Sequence, residues 1–371
     1  MNDVQKAAQT GNTGDLENVL MEFPNLIDTP DVNGRTPMYI AAENGHVSVI
    51  ETLVRLGSTS IDTPNKSGCT PMYIAADNGH VSVIETLVRL GSTSIDTTNK
   101  SGWTPMYAAA LCGHVSVIET LIQLGSTAID TSDDCSETPM FVAAENGYVS
   151  VIETLVRLGS TAIDTPDNYG ETPMHIAARH EHVSVIEILV RLGSTAIDTP
   201  DKYGWTPMFV AARNGHVSVI KTLVRLGSTV IDTPTNCGYT PMYIASRSNR
   251  VSVIETLIRL GSTAIDTPSK SGCTPMLMAA MHGHVSVIET LVRLGSTAID
   301  TPDNYGETPI DIAYRLHRKS VITLHYLGAT SNDSCSFVYN EDEAAEARHR
   351  VYFQRSLISR CLFHLSIINT H

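Results

Sequence analysis

The chain has 371 residues, a formal net charge of −14, 42% hydrophobic residues and 6% aromatic residues. The excess of acidic residues argues against a nucleic-acid binder and against a polybasic membrane-surface protein, because both take their affinity largely from Lys and Arg. The hydrophobic content is sufficient for a core, so the chain is not expected to be disordered as a whole, and the scarcity of aromatic residues makes that core mostly aliphatic.

The cysteines and the start of the chain indicate a cellular compartment. Seven Cys without a C-x-x-C motif argue against a disulfide framework and against a zinc site. Residues 1–10 are polar and lack the apolar segment of a signal peptide, and no stretch reaches the ~18 apolar residues of a transmembrane helix. We therefore expect a soluble protein of the cytoplasm, with the nucleus as the alternative, that is a monomer and holds no cofactor or metal.

One sequence unit repeats along the chain. The Thr-Pro pair that opens each copy recurs every 34 residues without an insertion, at Thr36, Thr70, Thr104, Thr138, Thr172, Thr206, Thr240, Thr274 and Thr308. Ala7-Ala8 and Gly11 lie 34 residues before Ala41-Ala42 and Gly45, so a degenerate copy starts at residue 2. The chain is therefore an array of ten copies, and not the two or three domains that ~150 residues per domain would suggest.

The copy that starts at Thr36 illustrates the predicted elements. Thr36 is a good N-cap, and the Pro that follows suits the first position of a short helix running to about Asn44. Gly45 can take the left-handed conformation that ends this helix. A second helix is predicted from about Val47 to Leu56, with an apolar stripe at helical spacing that consists of Val47, Ile50, Leu53, Val54 and Leu56. Residues 58–69 are rich in turn formers and predict a projecting turn, and neither helix can bury its face unless the copies stack.

This pattern resembles the ankyrin repeat. The family motif T-P-L-H-x-A-A…G-H is matched as T-P-M-[Y/F/H]-x-A-A…N-G-H over residues 2 to about 330, although only His175 keeps the motif His. The family period is usually 33, and the extra residue lies in the segment equivalent to 57–63. The resemblance implies an all-α fold, an α-solenoid of stacked helix-turn-helix repeats with projecting turns.

The ends of the array differ from its middle. We expect a degenerate capping repeat over residues 1–35, eight full repeats over 36–307, a C-terminal capping repeat over 308–330 and a tail over 331–371. The tail is expected to contain a loop and an amphipathic helix over 341–368. That helix could pack on the last repeat, bind a partner or a membrane surface, or be disordered, and it is too short and too interrupted by charge to span a bilayer.

Four side-chain positions recur in nearly every copy, and we interpret all four as structural. The motif Met is expected to fill the core. The His at 46, 80, 114, 182, 216 and 284 is expected to bind loop backbone, because copies about 10 Å apart on the ankyrin resemblance cannot share a metal with ~2 Å bonds. Glu51 and Arg55 are expected to pair within their helix at i, i+4. The Asp of the I-D-T segment is interpreted as a turn residue, because one Asp per copy gives too few oxygens for calcium.

The variable positions suggest where a partner binds. They concentrate at the turn tips and at the ends of the first helices, which line the concave face on the ankyrin resemblance. Arg179, Arg213 and Arg247 form a basic series in three successive copies, and aromatic residues occupy nearby tips. The candidate binding residues are Trp103, Tyr169, Arg179, Tyr203, Trp205, Arg213, Tyr239, Arg247, Tyr305 and Arg315. The alternative is that these positions have drifted in a recently duplicated array.

The function expected from these observations is binding. The chain has no Gly-rich phosphate loop, nucleophile elbow, zinc-protease or kinase motif, so we do not expect an enzyme. We expect a scaffold or adaptor for another protein, with an extended and partly acidic segment as its ligand. The alternative is a substrate-receptor subunit of a larger enzyme complex, such as a ubiquitin ligase, that docks through the tail. In two copies, Glu181 and Asn249 replace the helix-ending Gly, so the turn must either rearrange or take a positive φ.

Overall fold

The computed structural model describes residues 2–316 and 318–330, and in these ranges the secondary structure is helical, without a strand. The predicted tail and its helix over 341–368 lie outside the described residues. The described residues fall into two compact units, one ending at Ala196 and the other starting at Ile197. We call them the N-unit and the C-unit.

In the N-unit, six helix pairs follow one another. Their ranges are α1 Asp3–Thr10, α2 Thr13–Glu22, α3 Pro37–Glu43, α4 Val47–Arg55, α5 Pro71–Asp77, α6 Val81–Arg89, α7 Pro105–Leu111, α8 Val115–Gln123, α9 Pro139–Glu145, α10 Val149–Arg157, α11 Pro173–Arg179 and α12 Val183–Arg191. Within this unit each first helix packs on its neighbouring first helices, from α1 on α3 to α9 on α11, and each second helix packs on its neighbouring second helices, from α2 on α4 to α10 on α12. This confirms the predicted stacking of helix pairs.

The C-unit continues the pattern with four pairs. Their ranges are α13 Pro207–Asn214, α14 Val217–Arg225, α15 Pro241–Arg247, α16 Val251–Arg259, α17 Pro275–Met281, α18 Val285–Arg293, α19 Pro309–Leu316 and α20 Arg318–Leu327. Single 3₁₀ turns lie in several of the segments that follow the helix pairs, as at Ser60–Asp62 and Ala264–Asp266. Again α13 packs on α15, α15 on α17 and α17 on α19.

The ends of the first helices are fixed as the sequence predicts. The backbone N–H of Tyr39 donates to the Thr36 hydroxyl over 3.2 Å, and Gly45 has φ +78°. A Cβ on Gly45 would lie 3.0 Å from the ring of His80 in the next copy, so this position also needs glycine for packing. At Thr172 the cap is reciprocal, because the side chain of His175 also accepts the N–H of Thr172 over 3.1 Å.

The core is mostly aliphatic, and the motif methionines lie within it. The exposed fraction is zero for Met38, Met72, Met106, Met140, Met174, Met208, Met242 and Met276, which confirms their predicted role. On the second helix the predicted apolar stripe is partly wrong. Its buried residues are Val49, Ile50, Thr52 and Leu53, whereas Leu56 is 40% exposed, because the helix ends at Arg55 and Leu56 no longer follows its periodicity.

The predicted ion pair within the second helix is wrong. Arg89 pairs with Glu51 of the preceding copy over 2.6 Å, and not with the Glu of its own helix. The reason is the in-register packing of neighbouring second helices, which brings each Arg beside the Glu that lies 38 residues earlier. The same pairing between copies joins Arg55 to Glu17, Arg157 to Glu119, Arg191 to Glu153 and Arg293 to Glu255.

The recurring Asp does more than form a turn. Asp62 accepts a hydrogen bond from the Ser92 hydroxyl over 2.5 Å and another from the Thr93 backbone N–H over 2.9 Å, both in the next copy. Ser92 and Thr93 lie in the segment that contains the one residue by which these copies exceed the family's usual period. Equivalent bonds are made by Asp28, Asp96, Asp130, Asp164, Asp198, Asp232 and Asp266. The Asp series is therefore a link between copies.

The recurring His is structural, as predicted, but its acceptor lies at a helix end. The Nε2 atom of His80 lies 3.1 Å from the carbonyl oxygen of Glu43, the last residue of α3 in the preceding copy. Equivalent contacts are made by His46, His114, His182 and His284. Arg250, which replaces one His, makes the same contact with the Arg213 carbonyl through Nε over 3.4 Å. This side chain thus satisfies a carbonyl that the helix leaves without an internal partner.

Candidate functional site

The two variable positions of one copy face each other in several copies. The residue before Thr-Pro at the turn tip lies eight residues before the end of the first helix, and the turn folds back so that these side chains meet. Arg35 bonds to Glu43 over 3.1 Å, and Glu307 bonds to Arg315 over 2.7 Å. We call the surface made by the turn tips and the first-helix ends the tip face.

The backbone of the tips is held by internal hydrogen bonds. Asp201 accepts the N–H groups of Tyr203 and Trp205 over 2.8 and 2.7 Å with one carboxylate oxygen. The next tip is tied to this one, because the N–H of Asn236 donates to the carbonyl of Tyr203 over 3.0 Å. These bonds order the backbone of the tips before any partner binds, which lowers the entropy cost of binding.

In the N-unit, Trp103 belongs to an acidic and internally bonded tip. Its ring stacks on Tyr107 with centroids 5.2 Å apart, and its indole N–H donates to Asp133 over 3.0 Å. The Tyr107 hydroxyl donates to Glu137 over 3.2 Å. Burial and the neighbouring Asp133 charge raise the pKa of Glu137. Trp103 therefore already uses its polar atom within the fold, whereas the predicted site residue Tyr169 is 58% exposed.

Two of the predicted binding arginines already hold a carboxylate. Arg179 of the N-unit forms an ion pair with Glu171, whose side chain is buried. Arg315 of the C-unit forms the equivalent pair with Glu307, although Tyr305 beside it is 86% exposed. In the basic series, Arg179 of the N-unit is therefore paired with a carboxylate. The other two arginines, Arg213 and Arg247, lie in the C-unit and have different surroundings.

The other predicted site residues line one cleft of about 400 Å³ in the C-unit. The guanidinium carbon of Arg213 lies 4.7 Å from the ring centroid of Trp205, within the range of a cation–π contact. Tyr239 stacks on Tyr243 at 4.5 Å and 7°. The cleft is lined by Tyr203, Trp205, Phe209, Arg213, Thr235, Asn236, Cys237, Tyr239, Ile244, Arg247, Ser248 and His282. We call it the arginine cleft.

The arginine cleft is suited to bind anionic and aromatic or aliphatic groups. Its lining contains two arginines and no Asp or Glu. Trp205, Tyr239 and Ile244 offer apolar surface beside these charges. In the described part of the chain no cluster of three or more potential metal ligands occurs.

Sequence reasoning named five of the lining residues and missed the others. Ile244 lies on a first helix inside the repeated motif, and His282 follows the end of another, so neither stands out as a tip residue. The contact between the two variable positions was also missed. A signal was present in the sequence, because the pairs 35 and 43, 171 and 179, and 307 and 315 each combine an acid with an arginine eight residues apart.

Comparisons with known proteins agree with this architecture. The family model described as "Ankyrin repeats (3 copies)" matches residues 4–96, 56–133, 90–164, 123–198 and 192–268, and the model described as "Ankyrin repeat" matches residues 271–304. The crystal structure of the human ASB11 ankyrin repeat domain is similar in fold, with a TM-score of 0.55 and 23% identity, over 62% of this chain and 99% of that one. No curated protein matches the sequence.

Proposed function

Because the chain belongs to the ankyrin repeat family, whose repeats generally mediate protein–protein interaction, we propose that it is a non-catalytic scaffold or adaptor that binds a partner on its tip face. The arginine cleft carries this proposal. The interior of each copy is filled by nearly the same side chains, whereas the tip face differs from copy to copy and in the C-unit forms a lined depression. Copies that share one packed interior but differ on the tip face can form a specific binding site there while the fold is kept.

The proposed ligand is an extended, partly acidic segment of another protein. Trp, Tyr and Arg are enriched among residues that dominate binding energy at interfaces, and the cleft contains all three types. We further propose a monomer in the cytoplasm or nucleus. The free thiols of Cys69, Cys112, Cys135, Cys237 and Cys273 support a reducing compartment. In the described residues no helix is long and apolar enough to cross a bilayer.

Affinity purification with mass spectrometry tests the proposal. The double variant Arg213→Glu, Arg247→Glu should lose the proteins that the wild-type chain captures. The matched control Lys221→Glu, Arg259→Glu changes the net charge equally on the second helices of the C-unit, away from the tip face and without breaking an ion pair of the described residues, and should keep them. If the cleft variant captures the same proteins as the wild type, binding in the arginine cleft is excluded.

The substrate-receptor alternative depends on residues 331–371, which lie outside the described residues, and no described contact favours it. It stays a prediction from the sequence. Deleting residues 331–371 tests it, since unchanged associated proteins would exclude docking through the tail.

A further inference from the structure

We infer that the arginine cleft binds two carboxylate side chains, three residues apart, on one extended segment of the partner. This inference rests on the proposed function and specifies the partner's chemistry. It assigns Arg213 and Arg247 as the residues that contact the carboxylates, and Trp205 and Tyr239 as the flat surfaces between which the segment lies.

Other copies of the same chain show which group an arginine at the first-helix end binds. Where a copy carries Arg at the first-helix end and Glu at the tip, the two form an ion pair, as Arg179 does with Glu171 and Arg315 with Glu307. An arginine at this position is therefore placed to bind a glutamate carboxylate presented on the tip face.

In two copies of the C-unit that arginine is present but the glutamate is missing. Trp205 stands where the acid would be for Arg213, and Tyr239 stands there for Arg247. The lining of the arginine cleft supplies no other carboxylate. A guanidinium group lying over an aromatic ring keeps its N–H donors at its edge, where they can bind a carboxylate from another molecule.

The packing of the two helices sets the spacing of the carboxylates. Arg213 lies in the last turn of α13 and Arg247 is the last residue of α15, and these helices pack side by side. Packed helix axes are about 8–10 Å apart. A segment in the polyproline II conformation has three residues per turn and advances about 3.1 Å per residue, so side chains three residues apart point to the same side about 9 Å apart and can meet both arginines. The two residues between them would lie near Tyr239 and Ile244, so uncharged side chains fit there.

Selection from a display library of random dodecapeptides on the full-length chain tests the inference. Enriched peptides should carry Asp or Glu at positions three apart with uncharged residues between. For the best peptide, replacing each acid with its amide should weaken binding about tenfold, as should Arg213→Gln and Arg247→Gln singly, because charged hydrogen bonds are worth about that factor. The control Arg259→Gln, with the same loss of one charge on a second helix of the C-unit, should change binding less than twofold.

Three results would overturn the inference. They are enrichment of peptides without paired acids, no enrichment by the wild-type chain, and equal binding of acid and amide peptides. In each case, capture of a partner that Arg213→Glu, Arg247→Glu abolishes would leave the proposed function standing. Glu343 and Glu346 in the chain's own tail have the same spacing. If Glu343→Gln, Glu346→Gln raises the affinity for the acidic peptide tenfold, the tail is the occupant, and the assignment to a partner is wrong.

Discussion

Single residues in the array can be under backbone strain, and Ser136 is the clearest case. It has φ +66° at a turn tip where most other copies have glycine. Because a Cβ in this conformation costs about 1–2 kcal/mol, Ser136→Gly should be more stable than Ser136→Ala by about 1 kcal/mol. Both substitutions remove the Ser136 hydroxyl bond to Asn168, so their difference isolates the backbone term. Urea unfolding of the two variants measures it, and equal midpoints would refute the strain.

The same conformation occurs at the two positions where the sequence left the outcome open. Glu181 and Asn249 take φ +62° and +57°, so the turn does not rearrange around the missing glycine. The sequence identified these positions by comparison with Gly45 and its equivalents. Ser136 can be identified in the same way, because it lies 34 residues from Gly102 and Gly170, which hold the equivalent tip position in the neighbouring copies.

The hydrogen bonds that Asp62 accepts predict that the stability of the protein depends on pH. Burial alone would raise its pKa, but hydrogen bonds from Ser92 and Thr93 outweigh burial and hold the pKa below the ordinary value of 3.8. The Asp62 carboxylate therefore contributes fully to the stability of the fold above about pH 4. This contribution is lost as the pH falls through the lower pKa that Asp62 has in the folded state. The free energy of unfolding of Asp62→Asn should be lower by about 1–2 kcal/mol at pH 7, and it should fall less steeply than that of the wild type as the pH is lowered. Thermal unfolding from pH 7 to pH 2.5 checks this, and parallel curves for the two proteins would contradict it.

At the scale of elements, the second helix shows what one copy of the sequence can and cannot predict. Its ends follow from Gly45 and Gly57, which lie close in the chain and have positive φ, and the predicted ends agree with the observed ones to within one residue. Its ion pairs and its buried face depend on the neighbouring copy. Periodicity within nine residues therefore could not show that Arg89 meets Glu51, or that Leu56 lies outside the packed face.

Two leucines of one copy test the assignment of the buried face. Leu53 is fully buried between neighbouring helices, whereas Leu56 is 40% exposed. Leu53→Ala should destabilise the protein by about 2–5 kcal/mol, because it removes buried methyl groups and leaves a cavity. Leu56→Ala should cost less than about 0.5 kcal/mol. Chemical denaturation measures both, and similar losses would show that the helix is placed in the wrong rotation.

The ion-pair series between second helices is interrupted at Lys221. This residue occupies the Glu position in α14, and in the described part of the chain Arg259 of α16 has no ion pair. Lys221→Glu should restore the pair and stabilise the protein by about 0.5 kcal/mol, and Lys221→Gln by less. Denaturation at 20 mM and 1 M salt provides the test, since the gain should vanish at high salt and a gain that persists would have another cause.

At the scale of the whole molecule, the period predicts the fold but does not determine the site. The 34-residue repeating pattern identifies the helix pairs of the described residues, because each copy packs against copies of nearly the same sequence. The arginine cleft depends on differences between copies and on the contact between positions eight apart. Trp205 and Arg213 were chosen for their residue types, whereas the pairing of Arg179 with Glu171 appears only when the turn is placed against the helix.

Amide hydrogen exchange of the chain with and without its captured partner shows whether the partner binds the arginine cleft. We expect slower exchange at the tips over residues 201–206 and 235–240 and at the ends of α13 and α15. Exchange along α14 and α16 should be unchanged, because the second helices lie away from the tip face. Protection confined to the second helices, with none at these tips, would contradict binding in the arginine cleft.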